Sequence, residues 1–382
     1  MNKLASCLDL LQELVAIPSE SQNEEAMARF LYRYLQDELN MDCTLQHVDG
    51  KSYNVIGRLG RGDHKRRLLL GGHIDTVSPS PRWETDPYVL CRRGDELHAL
   101  GAGDMKGGLA AQLIVLSELK RANALPDADI CFVGLADEER HSIGAHAFVE
   151  LERQRPAQES FFIMAEPHYD NIVIGATGKA LLSLHVKGQE NHAATPEKGI
   201  NAIDCMAQLL CAVGKKYDEA YRQGECASWC VLKIENPYPG YSLTIPGECS
   251  CLVNKQLHPS ESIEEFIGSL HRLYEESVGR GLLEVRREIP SYPAYRLDAQ
   301  HPDVAALKDY LRTRWKREPE LRVNQSVSDG NVLYNSLGIP TVLFGPKGVH
   351  FHTEGEYLSV SSLESYMEEL EGYLRFRYGS GK

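Results

Sequence analysis

A chain of 382 residues with 41 basic and 54 acidic side chains carries a formal charge of −13, which argues against nucleic acid or an anionic membrane surface as a partner. Its 42% hydrophobic and 25% charged residues are the proportions of a globular protein, long enough for two domains or for one large α/β domain with an insertion. No run reaches the roughly 18 apolar residues of a membrane span, and Met1-Asn2-Lys3-Leu4 lacks the apolar stretch of an export signal, so a cytoplasmic placement is expected.

The elements follow in chain order. Leu8, Leu11, Leu14 and Val15 recur at helical spacing. Ser21 and Glu24 fit a capping box ahead of a second helix carrying Ala28, Phe30, Leu31 and Leu35. The basic run from Arg61 to Arg67 reads as a solvated turn before a strand. Strands are expected at 53–59, 67–70, 129–135 and 161–165, with a helix over 105–120. This alternation implies a mostly parallel sheet.

The rhythm changes near Gly178. Strands are expected at 180–187, 227–234, 248–256 and 282–288, and helices at 202–221 and 261–276, which make a small α+β unit on an antiparallel sheet. The first rhythm resumes with a helix over 304–315 and a buried strand at 341–344. Ser361 and Glu364 are expected to cap a last helix with Leu363, Met367, Leu370 and Leu374. The ten cysteines read as reduced thiols. Cys249 and Cys251 would share one strand face as core thiols, and without a Cys-x-x-Cys no thiolate zinc site is expected.

Five separated segments each offer a metal ligand: Gly72-His73-Ile74-Asp75-Thr76, Gly103-Asp104-Met105-Lys106-Gly107, Asp137-Glu138-Glu139, Ala165-Glu166-Pro167 and His350-Phe351-His352. Each follows an apolar run or lies in a glycine-rich loop, where a parallel sheet collects functional residues. Asp75, two residues past His73, has the chemistry to accept the ring's second N–H and fix its tautomer. The glycines around Asp104 meet neither phosphate-loop nor dinucleotide spacing, so a loop whose carboxylate bridges two cations is the better reading. Adjacent acids after the strand 130–136 are costly unless cations neutralise them, and one of the pair would be free as a general base. One of His350 and His352 is expected to ligate. Neither Gly-x-Ser-x-Gly nor His-Glu-x-x-His is present, which sets aside serine-hydrolase and thermolysin-type chemistry.

Together these motifs resemble the acetylornithine deacetylase, succinyl-diaminopimelate desuccinylase and glutamate carboxypeptidase family of dinuclear zinc amidohydrolases and metallopeptidases. The resemblance runs over nearly the whole chain. Its motifs are Gly72-His73-Ile74-Asp75-Thr76-Val77, Gly103-Asp104-Met105-Lys106-Gly107-Gly108, Glu138-Glu139, Glu166-Pro167 and His352-x-x-x-Glu356-Tyr357. It implies an α/β, zinc-peptidase-like catalytic domain over 1–177 and 294–382. An inserted ferredoxin-like lid and dimerisation domain would cover 178–293. It also implies two Zn²⁺ ions, with Co²⁺ or Mn²⁺ as substitutes. His73, Asp104 and Glu166 would hold one, and Asp104, Glu139 and His352 the other. Glu138 would be the base and Asp75 the orienter of His73. His352 is favoured over His350 because it stands four residues before Glu356.

Gly188-Gln189-Glu190-Asn191-His192-Ala193 resembles the family's lid segment, which implies a homodimer with His192 entering the partner's site to steady an oxyanion. Ser328-Asp329-Gly330 resembles a substrate-side loop. One departure concerns Val253-Asn254-Lys255-Gln256, where Gln256 occupies the position of an arginine that holds the substrate carboxylate. Either Lys179 or Lys255 substitutes, with Asn254 beside the clamp, or the substrate lacks that carboxylate. The expected activity is hydrolysis of an amide bond in a small N-acyl amino acid or related amide. A dipeptidase or carboxypeptidase with the same site, an acyl transfer to an amine, and a non-catalytic metal-binding scaffold are the rivals.

Overall fold

The computed structural model describes residues 2–60, 65–155, 158–238, 240 and 242–379. They form two compact units. The first comprises Met1–Gly175, Arg296–Asn324 and Ser328–Lys382, and the second Ala176–Tyr295 with the short stretch Gln325–Val327.

In chain order the elements are α1 (Lys3–Val15), α2 (Glu25–Asp37), β1 (Asp42–Asp49), β2 (Ser52–Leu59), β3 (Arg66–His73), β4 (Cys91–Arg93), β5 (Glu96–His98), α3 (Gly107–Arg121), β6 (Asp129–Leu135), α4 (Ile143–Glu152), β7 (Glu159–Met164) and β8 (Asn171–Ala176). Next come β9 (Gly178–Lys187), β10 (Asn191–His192), α5 (Ala202–Arg222), β11 (Trp229–Glu235), β12 (Thr244–Ile245), β13 (Glu248–Leu257), α6 (Ile263–Ser277) and β14 (Leu282–Tyr292). The chain ends with β15 (Tyr295–Arg296), α7 (Pro302–Trp315), β16 (Glu320–Asn324), α8 (Asp329–Leu337), β17 (Thr341–Leu343), β18 (Gly348–Val349), β19 (Tyr357–Ser359) and α9 (Val360–Tyr378).

The main sheet has the order β1-β2-β6-β3-β7-β17-β8-β15, with β16 beside β8. Its centre is parallel: β6, β3, β7 and β17 pair in one direction. The β1-β2, β2-β6 and β17-β8 pairings are antiparallel. All seven residues of β6 are buried, as are residues 68–73 of β3, which is the near-continuous apolar reading of strands covered on both faces. The helix α3 is buried almost all round and packs with α1 and α9. A second, antiparallel sheet of order β18-β19-β5-β4 lies in the same unit.

Three local expectations change. Ser21 does not cap α2. Its hydroxyl donates to Asp75 Oδ2 at 2.7 Å, and Glu24 holds the N-cap position without a side-chain cap bond. The last helix starts at Ser359, which accepts from Ser362 N at 3.2 Å, two residues before the expected cap. In the basic run, Arg66 and Arg67 already belong to β3, while residues 61–64 lie outside the described residues.

In the second unit β11-β13-β9-β14 form an antiparallel sheet. Alternate residues of β9 and β13 are buried. Ala180, Leu182, Leu184 and Val186 meet Cys249, Cys251 and Val253, and this face is covered by Met206, Leu209 and Val213 of α5 and Phe266 and Leu270 of α6. Cys249 and Cys251 are thus core thiols, and all ten cysteines are free. Asn201 and Ser262 cap α5 and α6. Among the described residues no helix is long and apolar enough to cross a membrane.

Candidate metal centre

The site gathers at the carboxyl ends of adjacent parallel strands. His73 is the last residue of β3, Glu138 and Glu139 follow β6, and Glu166 follows β7. Strands in the order β6-β3-β7 therefore place these side chains beside one another. Asp104 lies in the irregular turn Ala102–Lys106 before α3, and His352 in the loop between β18 and β19. Glycine at position 72 is required: φ is +154°, and a Cβ there would stand 2.1 Å from Met105 Cε, so Met105 packs under the end of β3.

His73, Asp104 and Glu166 form one group of potential ligands, and Asp104, Glu139 and His352 a second. Within each group the ligand atoms lie within 4.8 Å of one another. His73 Nε2 is 3.1 Å from Asp104 Oδ1 and 4.0 Å from Glu166 Oε1. His352 Nε2 is 2.9 Å from Glu139 Oε2 and 3.6 Å from Asp104 Oδ2. Asp104 thus turns one oxygen to each imidazole. His350 belongs to neither group and lies beside Tyr357, with ring centroids 6.1 Å apart.

The electrostatics suit cations. Burial, then the Asp104 charge, pushes Glu166 up to about 8. Burial also raises Glu139, and it raises Glu138 well above the usual carboxylate range. Hydrogen bonds that its ring donates to Asp104 and then to Glu139 push His352 up to about 10. On Asp104 burial works upward, but the two imidazoles outweigh it and its pKa is lowered. His73 is raised because Asp104 and Asp75 outweigh its burial. Protons on the imidazoles offset the carboxylate charge where cations would do so, and such a donor set of nitrogens and carboxylate oxygens fits Zn²⁺ or a similar divalent ion.

Asp75 does more than orient His73. The ring Nδ1 is 3.1 Å from the Asp75 backbone carbonyl and 3.5 Å from its Oδ1. The carboxylate itself accepts the N–H groups of Glu138 and Glu139 at 3.1 and 3.2 Å. Asp137, with φ +64°, makes the sharp turn that points both N–H groups at Asp75. Glu138 makes no side-chain hydrogen bond or ion pair among the described residues, and the residue as a whole is partly buried.

The expected substrate residues are placed differently. Ser328 caps α8, with a reciprocal bond to Asn331, while Asp329 and Gly330 are buried, and the Asp329 charge acts on Glu138 and Glu166 and so lies beside the ligand groups. In the second unit Asn254 and Gln256 lie on the face of β13 away from the helices, and Thr177 Oγ1 donates to Gln256 Oε1 at 3.4 Å. Gln256 pairs directly with Lys179 across the strands. Lys255 cannot replace an arginine clamp. It is fully buried on the helix face, donating to Glu261 Oε1 at 2.7 Å, Gln256 O at 2.7 Å and Ala227 O at 2.9 Å. His192 is exposed in the second unit, and its Nδ1 accepts from Ala194 N at 3.1 Å, leaving Nε2 as a donor. Sequence reasoning missed Ser21 and the roles of Lys106 and Glu356. Ser21 carried a competing helix-cap signal, and Glu356 served only as a spacing marker.

Two ligand groups sharing one carboxylate at the ends of parallel strands define a metal-dependent hydrolase site. The chain belongs to peptidase family M20/M25/M40, whose model matches residues 69–375, and it is a hydrolase of amide bonds. It is 26% identical to the succinyl-diaminopimelate desuccinylase of Nautilia profundicola, over 91% of this chain and 93% of that protein. It is 27% identical to the acetylornithine deacetylase of Shigella sonnei, over 96% of each. It is 26% identical to the N-formyl-4-amino-5-aminomethyl-2-methylpyrimidine deformylase of Bacillus subtilis, over 91% and 88%. Among solved structures, a tripeptidase from Staphylococcus aureus superposes with a TM-score of 0.80 at 23% identity, covering 97% of this chain and 98% of that one. A dinuclear metal-binding peptidase of the M20 family from Bacillus subtilis gives 0.72 at 14% identity, over 98% of each. These two likenesses speak for the fold.

Proposed function

We propose that the chain is a deacylase that cleaves the amide of a small N-acyl amine with two divalent ions, Zn²⁺ in the first place, sharing Asp104. The observation that carries this reading is the division of the Asp104 carboxylate, Oδ1 toward His73 and Oδ2 toward His352. His73 and Glu166 would complete one ligand set, and Glu139 and His352 the other. Bound there, the ions supply Lewis acidity, making water a better nucleophile at neutral pH and polarising the scissile carbonyl.

The residues do the rest. Glu138 accepts a proton from the attacking water and delivers it to the departing nitrogen. Its raised pKa, from burial first, suits a group that must hold a proton during turnover. Asp75 fixes the backbone on which Glu138 stands. His192, with Nε2 free to donate, is the donor assigned to the developing oxyanion, from the partner subunit of a homodimer. The dimer reading is supported by the edge strand β11, where Leu232 and Ile234 are more than half exposed at 55% and 54%. Ten free thiols support a reducing, cytoplasmic setting.

Three relatives named for removing succinyl, acetyl and formyl groups favour deacylation over peptide cleavage. The formyl substrate named among them carries no carboxylate, which agrees with Gln256 at the clamp position. The deciding assay loads the protein with Zn²⁺ and compares formyl, acetyl and succinyl amides with di- and tripeptides. Deacylation outpacing peptide cleavage supports the proposal, and the reverse order makes the chain a peptidase.

A further inference from the structure

The loop that carries Asp104 has an anchor that the hydrolytic reading leaves without a task. Glu356 is 1% exposed and lies more than 250 residues away in sequence from the loop it anchors. Its Oε2 accepts the N–H of Gly101 at 3.0 Å, and its Oε1 accepts those of Gly103 at 3.0 Å and Asp104 at 3.1 Å. Three backbone donors thus converge on the two oxygens of one side chain, the geometry of an anion-binding nest.

The packing around the nest is tight. A Cβ on Gly103 would meet the Tyr357 carbonyl at 3.2 Å and Gly348 Cα at 3.3 Å, so the two backbones touch. At the loop's far end Lys106, also 1% exposed, donates to the carbonyls of Leu14 and Ile17 at 3.0 Å each. The loop is therefore pinned at both ends by buried side chains that hydrogen-bond backbone groups. Glu356 also stands four residues beyond His352, so one side chain ties the segment supplying His352 to the residue shared by both ligand groups.

We propose that Glu356 is a positioning residue for both metal sites, holding the Asp104 backbone so that its two oxygens face His73 and His352. The inference rests on the reading of Asp104 as the shared ligand. A glutamine at 356 keeps the shape of the side chain but offers one acceptor oxygen, and its amide nitrogen would confront a backbone N–H. At least one of the three bonds is then lost.

The test strips the full chain of metal and titrates it with Zn²⁺ against a chromophoric chelator, in the wild type, E356Q and D104N. Loss of an outer-shell partner costs roughly 10–100-fold in metal affinity. E356Q is expected to lose that much at both sites together, with kcat falling less once Zn²⁺ is saturating. A purely structural residue would lower the melting temperature and leave Zn²⁺ affinity within about twofold of wild type, and that result overturns the proposal. If E356Q does not fold, E356D is read in the same way. If neither folds in excess Zn²⁺, the residue is a folding determinant and the proposal also falls. D104N separates the two readings. Wild-type affinity in D104N defeats the shared-ligand reading itself. Loss in D104N with wild-type affinity in E356Q defeats only the role of Glu356.

Discussion

Asp75 holds the backbone of Glu138. Its Oδ1 accepts that N–H at 3.1 Å, while its Oδ2 takes the Glu139 N–H at 3.2 Å and the Ser21 hydroxyl at 2.7 Å. One carboxylate thus couples the turn bearing Glu138, the proposed base, to the strand end bearing His73. Asp75→Asn replaces one acceptor oxygen with a donor that faces an N–H. The expected loss is about 10–100-fold in kcat, with weaker metal retention. Steady-state kinetics with metal analysis checks this, and unchanged values in both would remove Asp75 from the machinery.

Glu138 should behave differently. Glu138→Gln keeps the volume and the backbone bond to Asp75 but cannot take a proton. Metal content and melting temperature should stay at wild-type levels, while turnover falls by roughly 10²–10⁴. If His192 acts across a dimer, mixing Glu138→Gln chains with His192→Ala chains should restore part of the activity, because the mixed dimer contains one intact site. Confirmed subunit exchange without recovery would place His192 elsewhere in the reaction or outside it.

Much of this site was legible because its chemistry is written in short motifs at strand ends. His73, Glu139 and Glu166 follow apolar runs, and a buried run that stops at an acid or an imidazole has few structural explanations. The alternation of strands and helices likewise exposed the central parallel strands and the inserted sheet. Partners set by tertiary geometry were not legible. Ser21 carried a helix-cap signal that a stronger acceptor, Asp75, overrode. Lys255 looked like a free cation, but strand alternation turned it to the helix face, where Glu261 holds it. The helix-capping role of Ser328 was not legible either, because capping residues and ligand-binding residues share the same types.

Glu24 gives a pH signature outside the ligand groups. It is fully buried, its Oε1 accepts Gln22 N at 2.8 Å and Asp137 N at 3.1 Å, and burial followed by the Asp75 charge raises it from 4.5 to about 7. Between those values the folded chain keeps a proton that the unfolded chain has released. The contribution of Glu24 is therefore fully present below about pH 4.5 and lost as pH rises through about 7. Glu24→Gln should remove this term, flattening the stability profile relative to wild type and adding about 1–2 kcal/mol at pH 8. Denaturant unfolding at pH 5 and pH 8 measures it. Equal differences from wild type at both pH values would contradict the assignment.

The proposal that Gln256 stands at a clamp position concerns also its cross-strand neighbour Lys179, which makes no ion pair among the described residues. Losing a charged hydrogen bond costs about 1.5–3 kcal/mol, or one to two powers of ten. Gln256→Arg should raise kcat/KM for N-acyl amino acids by a factor of that order and leave formamides of neutral amines little changed. If Lys179 already serves as the clamp, Lys179→Ala should lower kcat/KM for the carboxylate substrates by a similar factor. Efficient wild-type cleavage of acetylornithine, unaltered by either substitution, would dismiss both residues as clamps.

The sharing of Asp104 between two ions is tested most directly by metal stoichiometry. Elemental analysis of the Zn²⁺-loaded wild type, after removal of free metal, should give two ions per chain, and Asp104→Ala should retain almost none and be inactive. A wild type saturating at one ion, or an Asp104→Ala chain with its full metal content, would contradict a centre built around that carboxylate.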